Sequence, residues 1–161
     1  MKRIVTLIFA LIMSLSLIAC SDMDLTFEDE DQADGVEKTN DEVNRIDEDG
    51  RYSTKEDVAL YLHTYDKLPQ NFITKRKAVD LGWEANKGNL WDVSDKMSIG
   101  GDKFGNREKR LPSKEGRTYY ECDINYEGGY RGPERLVYSD DGLIYYTEDH
   151  YDSFTLLYGD E

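Results

Sequence analysis

The 161-residue sequence predicts an α+β fold, with short N-terminal helices packed on one face of a C-terminal antiparallel β-sheet of about five strands. Three observations carry this expectation. Apolar residues recur at helical spacing after Ser53, the spacing changes to strict alternation after Ser98, and an Asp-Gly pair separates two apolar runs near the end. Helices first and strands afterwards is the order of an α+β domain.

The elements follow in chain order. Thr54 is placed to cap a helix, with Glu56 and Asp57 in its positively polarised first turn. Val58, Tyr61, Leu62 and Tyr65 then fall at i, i+3, i+4 and i+7, one apolar face, and Leu68-Pro69 breaks the run. His63 lies off that face and is read as a solvated side chain without a role. A second short helix is capped by Thr74, presents Ala78, Val79 and Leu81, and ends at Gly82; Trp83 follows as a core residue. A third begins near Asn89.

In the run Thr118–Ile124, alternation puts Tyr120, Cys122 and Ile124 on one face and Glu121 on the other. Arg135 likewise lies opposite Leu136 and Tyr138, and Asp141-Gly142 marks a hairpin. One sheet face is expected to pack on the helices and the other to meet water, with Glu121 and Arg135 on the open face.

With 39% hydrophobic and 12% aromatic residues, the chain supports one ordinary domain with a real core. Its net charge of -14 argues against broad nonspecific binding of nucleic acid. The charge is uneven, however: residues 20–50 carry -11, residues 75–135 carry +2, and 136–161 hold seven acids and no Lys or Arg. A bulk argument therefore does not reach a cleft in the middle of the chain.

Residues 1–19 open with Lys2 and Arg3 and continue as an apolar stretch from Ile4 to Ala19, too short for a span of about 20 residues and shaped like a secretory signal. It ends Leu17-Ile18-Ala19-Cys20, which resembles the bacterial lipobox, in which the Cys thiol is lipidated and becomes the mature N-terminus. An ordinary signal peptide with a coincidental Cys, or an uncleaved anchor, is the alternative. Residues 20–51 read as an acidic tether, or else a propeptide or spacer, and 52–161 as the folded domain. A lipidated Cys20 leaves Cys122 as a lone, buried thiol, and the two His lack the spacing of metal ligands.

Glu121, His150, Arg131 and Arg135 together suggest phosphate chemistry. Internal transfer at an RNA phosphate needs a base for the 2′-hydroxyl proton, an acid for the leaving oxygen and fixed cations for the transition state. These side chains supply all three without a metal or cofactor. Spacing alone leaves the bland readings standing: Glu121–Arg135 as a surface cross-strand pair and His150 as an exposed turn residue.

Longer segments narrow the choice. Tyr65-Asp66-Lys67-Leu68-Pro69, Asn71-Phe72-Ile73-Thr74-Lys75, Leu81-Gly82-Trp83, Lys87-Gly88-Asn89-Leu90, Ser98-Ile99-Gly100-Gly101-Asp102, Gly116-Arg117-Thr118 and Asp149-His150-Tyr151 resemble the barnase family of bacterial guanyl-preferring ribonucleases. The resemblance runs ungapped from about residue 52 to 157 and implies the microbial ribonuclease fold. It implies Glu121 as general base, His150 as general acid, and Lys75, Arg131 and Arg135 as phosphate cations. It further implies a guanine site in Phe104, Gly105, Asn106, Arg107 and Glu108, with Tyr151 near the base and Asp102 in support. The implied partners are single-stranded RNA and an acidic, barstar-like protein inhibitor, with the membrane reached through Cys20. The domain is expected to be a monomer and the protein exported, either anchored as an extracytoplasmic lipoprotein or released. A catalytically silent binding lipoprotein and an antibacterial toxin with the same chemistry are the rival readings. Four positions depart from the family in ways that bear on the site: Gly105 replaces Ser, Gly132-Pro133 replaces Asn-Ser, and Cys122 replaces Ala.

Overall fold

The computed structural model describes residues 46–160. The signal, Cys20 and most of the acidic tether lie outside the described residues. Three helices, α1 (Lys55–Tyr65), α2 (Lys75–Asp80) and α3 (Leu90–Val93), precede most of the sheet. The sheet has six strands in chain order: β1 (Phe72–Ile73), β2 (Ser98–Phe104), β3 (Tyr119–Asp123), β4 (Arg135–Ser139), β5 (Ile144–Thr147) and β6 (Thr155–Tyr158). All neighbours are antiparallel except β1, which pairs parallel to the start of β2. This two-residue strand raises the count from the expected five to six.

Thr54 caps α1 as its sequence predicts, its hydroxyl accepting from the Asp57 N–H at 3.2 Å. The helix stops at Asp66, before Leu68-Pro69, because Asp66 turns left-handed (φ 53°) and its N–H closes on the Leu62 carbonyl. Val58, Ala59 and Leu62 pack against Cys122, Ile124, Leu136 and Ile144 on one sheet face. Packing begins before residue 52: Ile46 is buried, Tyr65 donates to its carbonyl, and Tyr61 donates to that of Glu48. His63 is exposed, with its ring stacked 4.4 Å from Tyr158.

In α2 only Ala78 is buried; Val79 and Leu81 are 59% and 48% exposed, against expectation. Six residues are too few to turn more than one apolar position inward. Gly82, at φ +100°, then redirects the chain so that Trp83 enters a second core with Ile73, Ala78, Leu90, Ile99 and Tyr126.

The sheet's other face is not simply open. Leu111, Tyr119, Val137, Leu143 and Tyr145 form a third core there, and Glu121 and Arg135 on the same face are themselves buried. The register also sets aside the expected Glu121–Arg135 pair: Glu121 stands opposite Val137, and Arg135 opposite Asp123. The Asp141-Gly142 turn forms as expected, with Gly142 at φ +96°.

Candidate active site

A bulge in β2 is the first device that builds the site. Gly100 pairs with Cys122, yet Asp102 pairs with Glu121, so Gly101 (φ +88°) is an extra residue in the ladder. Without it, Asp102 would face the helix-packed side. With it, the Asp102 carboxylate accepts from the Lys75 backbone N–H at 2.8 Å and fixes the start of α2. Gly100 cannot carry a side chain, since a Cβ would come within 2.7 Å of the Cys122 Cβ. Cys122 is a free, fully packed thiol whose pKa burial pushes up.

Glu121 is held at both oxygens. Lys75 Nζ donates to Oε1 at 2.5 Å and the Tyr151 hydroxyl to Oε2 at 2.6 Å. Its side chain is 10% exposed. Burial, the largest single influence, pushes its pKa up, but the Lys75 and Tyr151 hydrogen bonds and the Lys75 and Arg131 charges together hold it below the usual carboxylate range. The same contact drives the Tyr151 phenol far upward, after burial itself.

Asp123 positions both arginines. Arg131 grips it bidentately, Nε to Oδ2 and Nη2 to Oδ1, each 2.6 Å. Arg135 Nε lies 2.9 Å from Oδ1 as an ion pair, but off the direction of a hydrogen bond, so this buried N–H is unsatisfied. Its Nη1 donates to the carbonyls of Gly132 and Glu134, 2.7 Å each. The Gly132-Pro133 substitution therefore sits at a carbonyl that holds the guanidinium.

His150 follows β5 in a loop organised by Asp149. That carboxylate accepts from Thr147 Oγ1, from the Asp152 and Ser153 N–H groups and from Ser153 Oγ. Led by the Ser153 hydroxyl, these donors depress its pKa to about 2. His150 and Tyr151 are both left-handed, at φ 59° and 75°, a conformation disfavoured for side chains of this bulk. His150, Arg131, Arg135, Gly132 and Ala85 line one depression of about 500 Å³.

Tyr151 joins this depression to the loop after β2. Its ring packs 5.2 Å from Phe104 and 4.8 Å from His150. Asn106 closes the loop, its amide exchanging hydrogen bonds with Leu111 in both directions, at 2.8 and 3.0 Å. Gly105 is exposed, and Arg107 and Glu108 project into solvent without an ion pair among the described residues. The structure thus brings together Lys75, Asp102, Glu121 and Tyr151, and next to them Arg131, Arg135 and His150, with Tyr151 touching both groups and the Arg131 charge reaching Glu121. Glu108 is not drawn into either. A larger cleft of about 730 Å³, by Tyr120, Tyr138 and Leu62, holds none of the predicted site residues.

Asp123 is the residue that sequence reasoning missed. Its parity with Glu121 across one residue was the available signal, since two carboxylates on one strand face need cations.

A sequence model described as ribonuclease matches residues 55–158. A ribonuclease of Heyndrickxia coagulans is 58% identical over 105 residues, covering 65% of this chain and 96% of that protein. A ribonuclease of Bacillus intermedius is 57% identical over 105 residues, covering 65% of each chain, so the match spans just under two thirds of that relative. The guanyl-specific ribonuclease St of Saccharopolyspora erythraea is 44% identical over 57 residues, 35% of this chain and 56% of that one. On the extent of these matches, the chain belongs to the ribonuclease family, among its barnase-like bacterial members.

Proposed function

We propose that residues 52–161 form a guanyl-preferring endoribonuclease domain acting on single-stranded RNA. The observation that supports this reading best is an ionised, nearly buried Glu121 paired with Lys75 and within the field of Arg131, beside an arginine pair that Asp123 fixes. In the first step Glu121 takes the proton of the 2′-hydroxyl, whose oxygen attacks phosphorus. The bond to the 5′-oxygen breaks, His150 protonates that oxygen, and a 2′,3′-cyclic phosphate remains. In the second step His150 takes a proton from water, whose oxygen bonds to phosphorus as the bond to the 2′-oxygen breaks, and Glu121 protonates that oxygen, giving a 3′-phosphate. Lys75, Arg131 and Arg135 stabilise the charge that builds on the equatorial oxygens.

Glu121 is useful as a base because its depressed pKa keeps it ionised, and Tyr151 and Lys75 must yield to the substrate for it to work. The loop Phe104–Glu108 supplies backbone N–H groups for the guanine oxygen, and the free Glu108 carboxylate accepts from its ring and exocyclic N–H. A guanosine-containing dinucleotide is the test: the purified protein is expected to release guanosine 2′,3′-cyclic phosphate and then the 3′-phosphate. No cleavage would favour the catalytically silent reading.

Tyr151→Phe is expected to move the acidic limb of the kcat/KM profile to higher pH. The phenol hydrogen bond stabilises the carboxylate and lowers the Glu121 pKa, so removing it leaves burial less opposed and raises that pKa. A profile lowered equally at all pH values would instead make Tyr151 a packing residue only.

Residues 1–19 are proposed as a lipoprotein signal, Cys20 and the acidic residues after it, up to where Ile46 packs on the domain, as a lipidated tether, and a barstar-like acidic protein as the inhibitor of the arginine face. Cys20→Ser is expected to release the protein from the membrane fraction; equal retention would show that lipid on Cys20 is not its anchor.

A further inference from the structure

The most concentrated positive charge of the molecule lies beside the proposed catalytic depression rather than in it. Residues 103–117 hold six Lys or Arg against two Glu, in a chain of net charge -14. They fold round a second cleft of about 540 Å³, lined by Lys103, Arg107, Lys109, Lys114 and Arg117 with no carboxylate in its lining. Asp141, outside the lining, holds Arg117 at 2.8 Å and Lys114 at 3.3 Å. Lys103, Arg107 and Lys109 are exposed and have no ion-pair partner among the described residues. Clustered like charges repel unless an anion joins them, and a concave surface focuses their field.

Two further observations identify the anion. The half-buried ring of Phe104 also lines the cleft, so aromatic surface accompanies the cations, the combination that holds single-stranded nucleic acid, while Tyr119 beneath it is a core residue. Phe104, Gly105, Asn106 and Arg107 belong to both this cleft and the proposed guanine loop, so a strand bound at that loop has the cleft as its immediate continuation.

We propose that this cleft is an extended backbone site, in which Lys103 and Lys109, with Lys114 beside them, take phosphates of the RNA strand beyond the cleaved guanosine. The proposal rests on the ribonuclease reading and adds to it the side chains of this chain that hold the strand outside the catalytic depression. It also explains how an acidic protein retains a polyanion: the attraction is local and salt-sensitive.

The test is the full protein carrying Lys103→Gln and Lys109→Asn together. Asn tolerates the left-handed backbone at Lys109 (φ 54°), and neither residue belongs to the proposed catalytic machinery. Binding is read with a fluorescent ten-nucleotide RNA bearing a single 2′-deoxyguanosine, which binds but cannot be cleaved there. Affinity is expected to fall several-fold. The dependence of log Kd on log salt is expected to become shallower by about 1.4, at roughly 0.7 for each phosphate left without its lysine. Cleavage of a guanosine dinucleotide, too short to reach the cleft, is expected to stay unchanged. Unaltered decamer affinity and salt slope would overturn the proposal, as would an equal loss on the dinucleotide. Loss of binding to phosphatidylglycerol vesicles with decamer binding intact would also overturn it and reassign the cleft to a membrane surface. If the parent protein binds the decamer through these lysines yet leaves the dinucleotide intact, the ribonuclease reading fails while the cleft stands.

Discussion

Replacing Glu121 by Gln is expected to lower kcat/KM on a guanosine dinucleotide by about 10²–10⁴, and His150→Ala by a similar factor. The two losses differ in kind. Glutamine keeps the shape of the side chain but removes the base, so the acidic limb of the pH profile should vanish with it. Lys75 loses its partner, yet its side chain is 42% exposed and water can take over, so the fold should survive. His150 is exposed, with only its ring face against Tyr151; its loss should remove the proton donor to the leaving oxygen and leave thermal stability nearly unchanged. The residual rate in each variant reflects the fixed cations. Rates matching the parent in both variants would end the acid–base assignment, whatever the family.

Asp123→Asn is expected to destabilise the fold by about 3–5 kcal/mol, read as a lower urea midpoint at constant slope. The Asp123 carboxylate is 2% exposed and Arg135 only 4%. Breaking a buried pair from one side strands the other charge, and Arg135 already has one unsatisfied N–H. Arg131, 21% exposed, would swing free and lose its bidentate aim. Activity should therefore fall even where the variant remains folded, with kcat reduced more than KM because the arginines act on transition-state charge. An unchanged midpoint would mean that the pair contributes nothing net to stability. The hydrogen-bond geometry makes that outcome unexpected.

Much of this arrangement was legible in the sequence because it follows from local rules. Alternation put Glu121 on the face away from Cys122, and Thr54 and Thr74 announced their helices by capping chemistry. What was not legible depended on register. Arg135 faces Asp123 and not Glu121 because the strands pair two residues away from the surface-pair reading. No property of either residue specifies that offset. The Gly101 bulge, which brings Asp102 to the cleft side, is likewise a feature of two strands together. β1 was missed because two residues are too few to show a period. Val79 and Leu81 misled for the opposite reason: they look like core residues, but the helix ends before it can bury them. The longer segments shared with the barnase family supplied roles that no periodicity could.

The strands are hydrogen-bonded in the order in which they are made. Each antiparallel ladder closes on its immediate chain neighbour, so no early strand waits for a distant one and the entropy lost at each closure is that of a short loop. Such a sheet can assemble by successive local steps, without disulfide chemistry at the buried Cys122 thiol. If the export proposed for this chain passes it unfolded through a membrane, these local steps are the ones by which the sheet is rebuilt, and the proposed cleft exists only after the crossing.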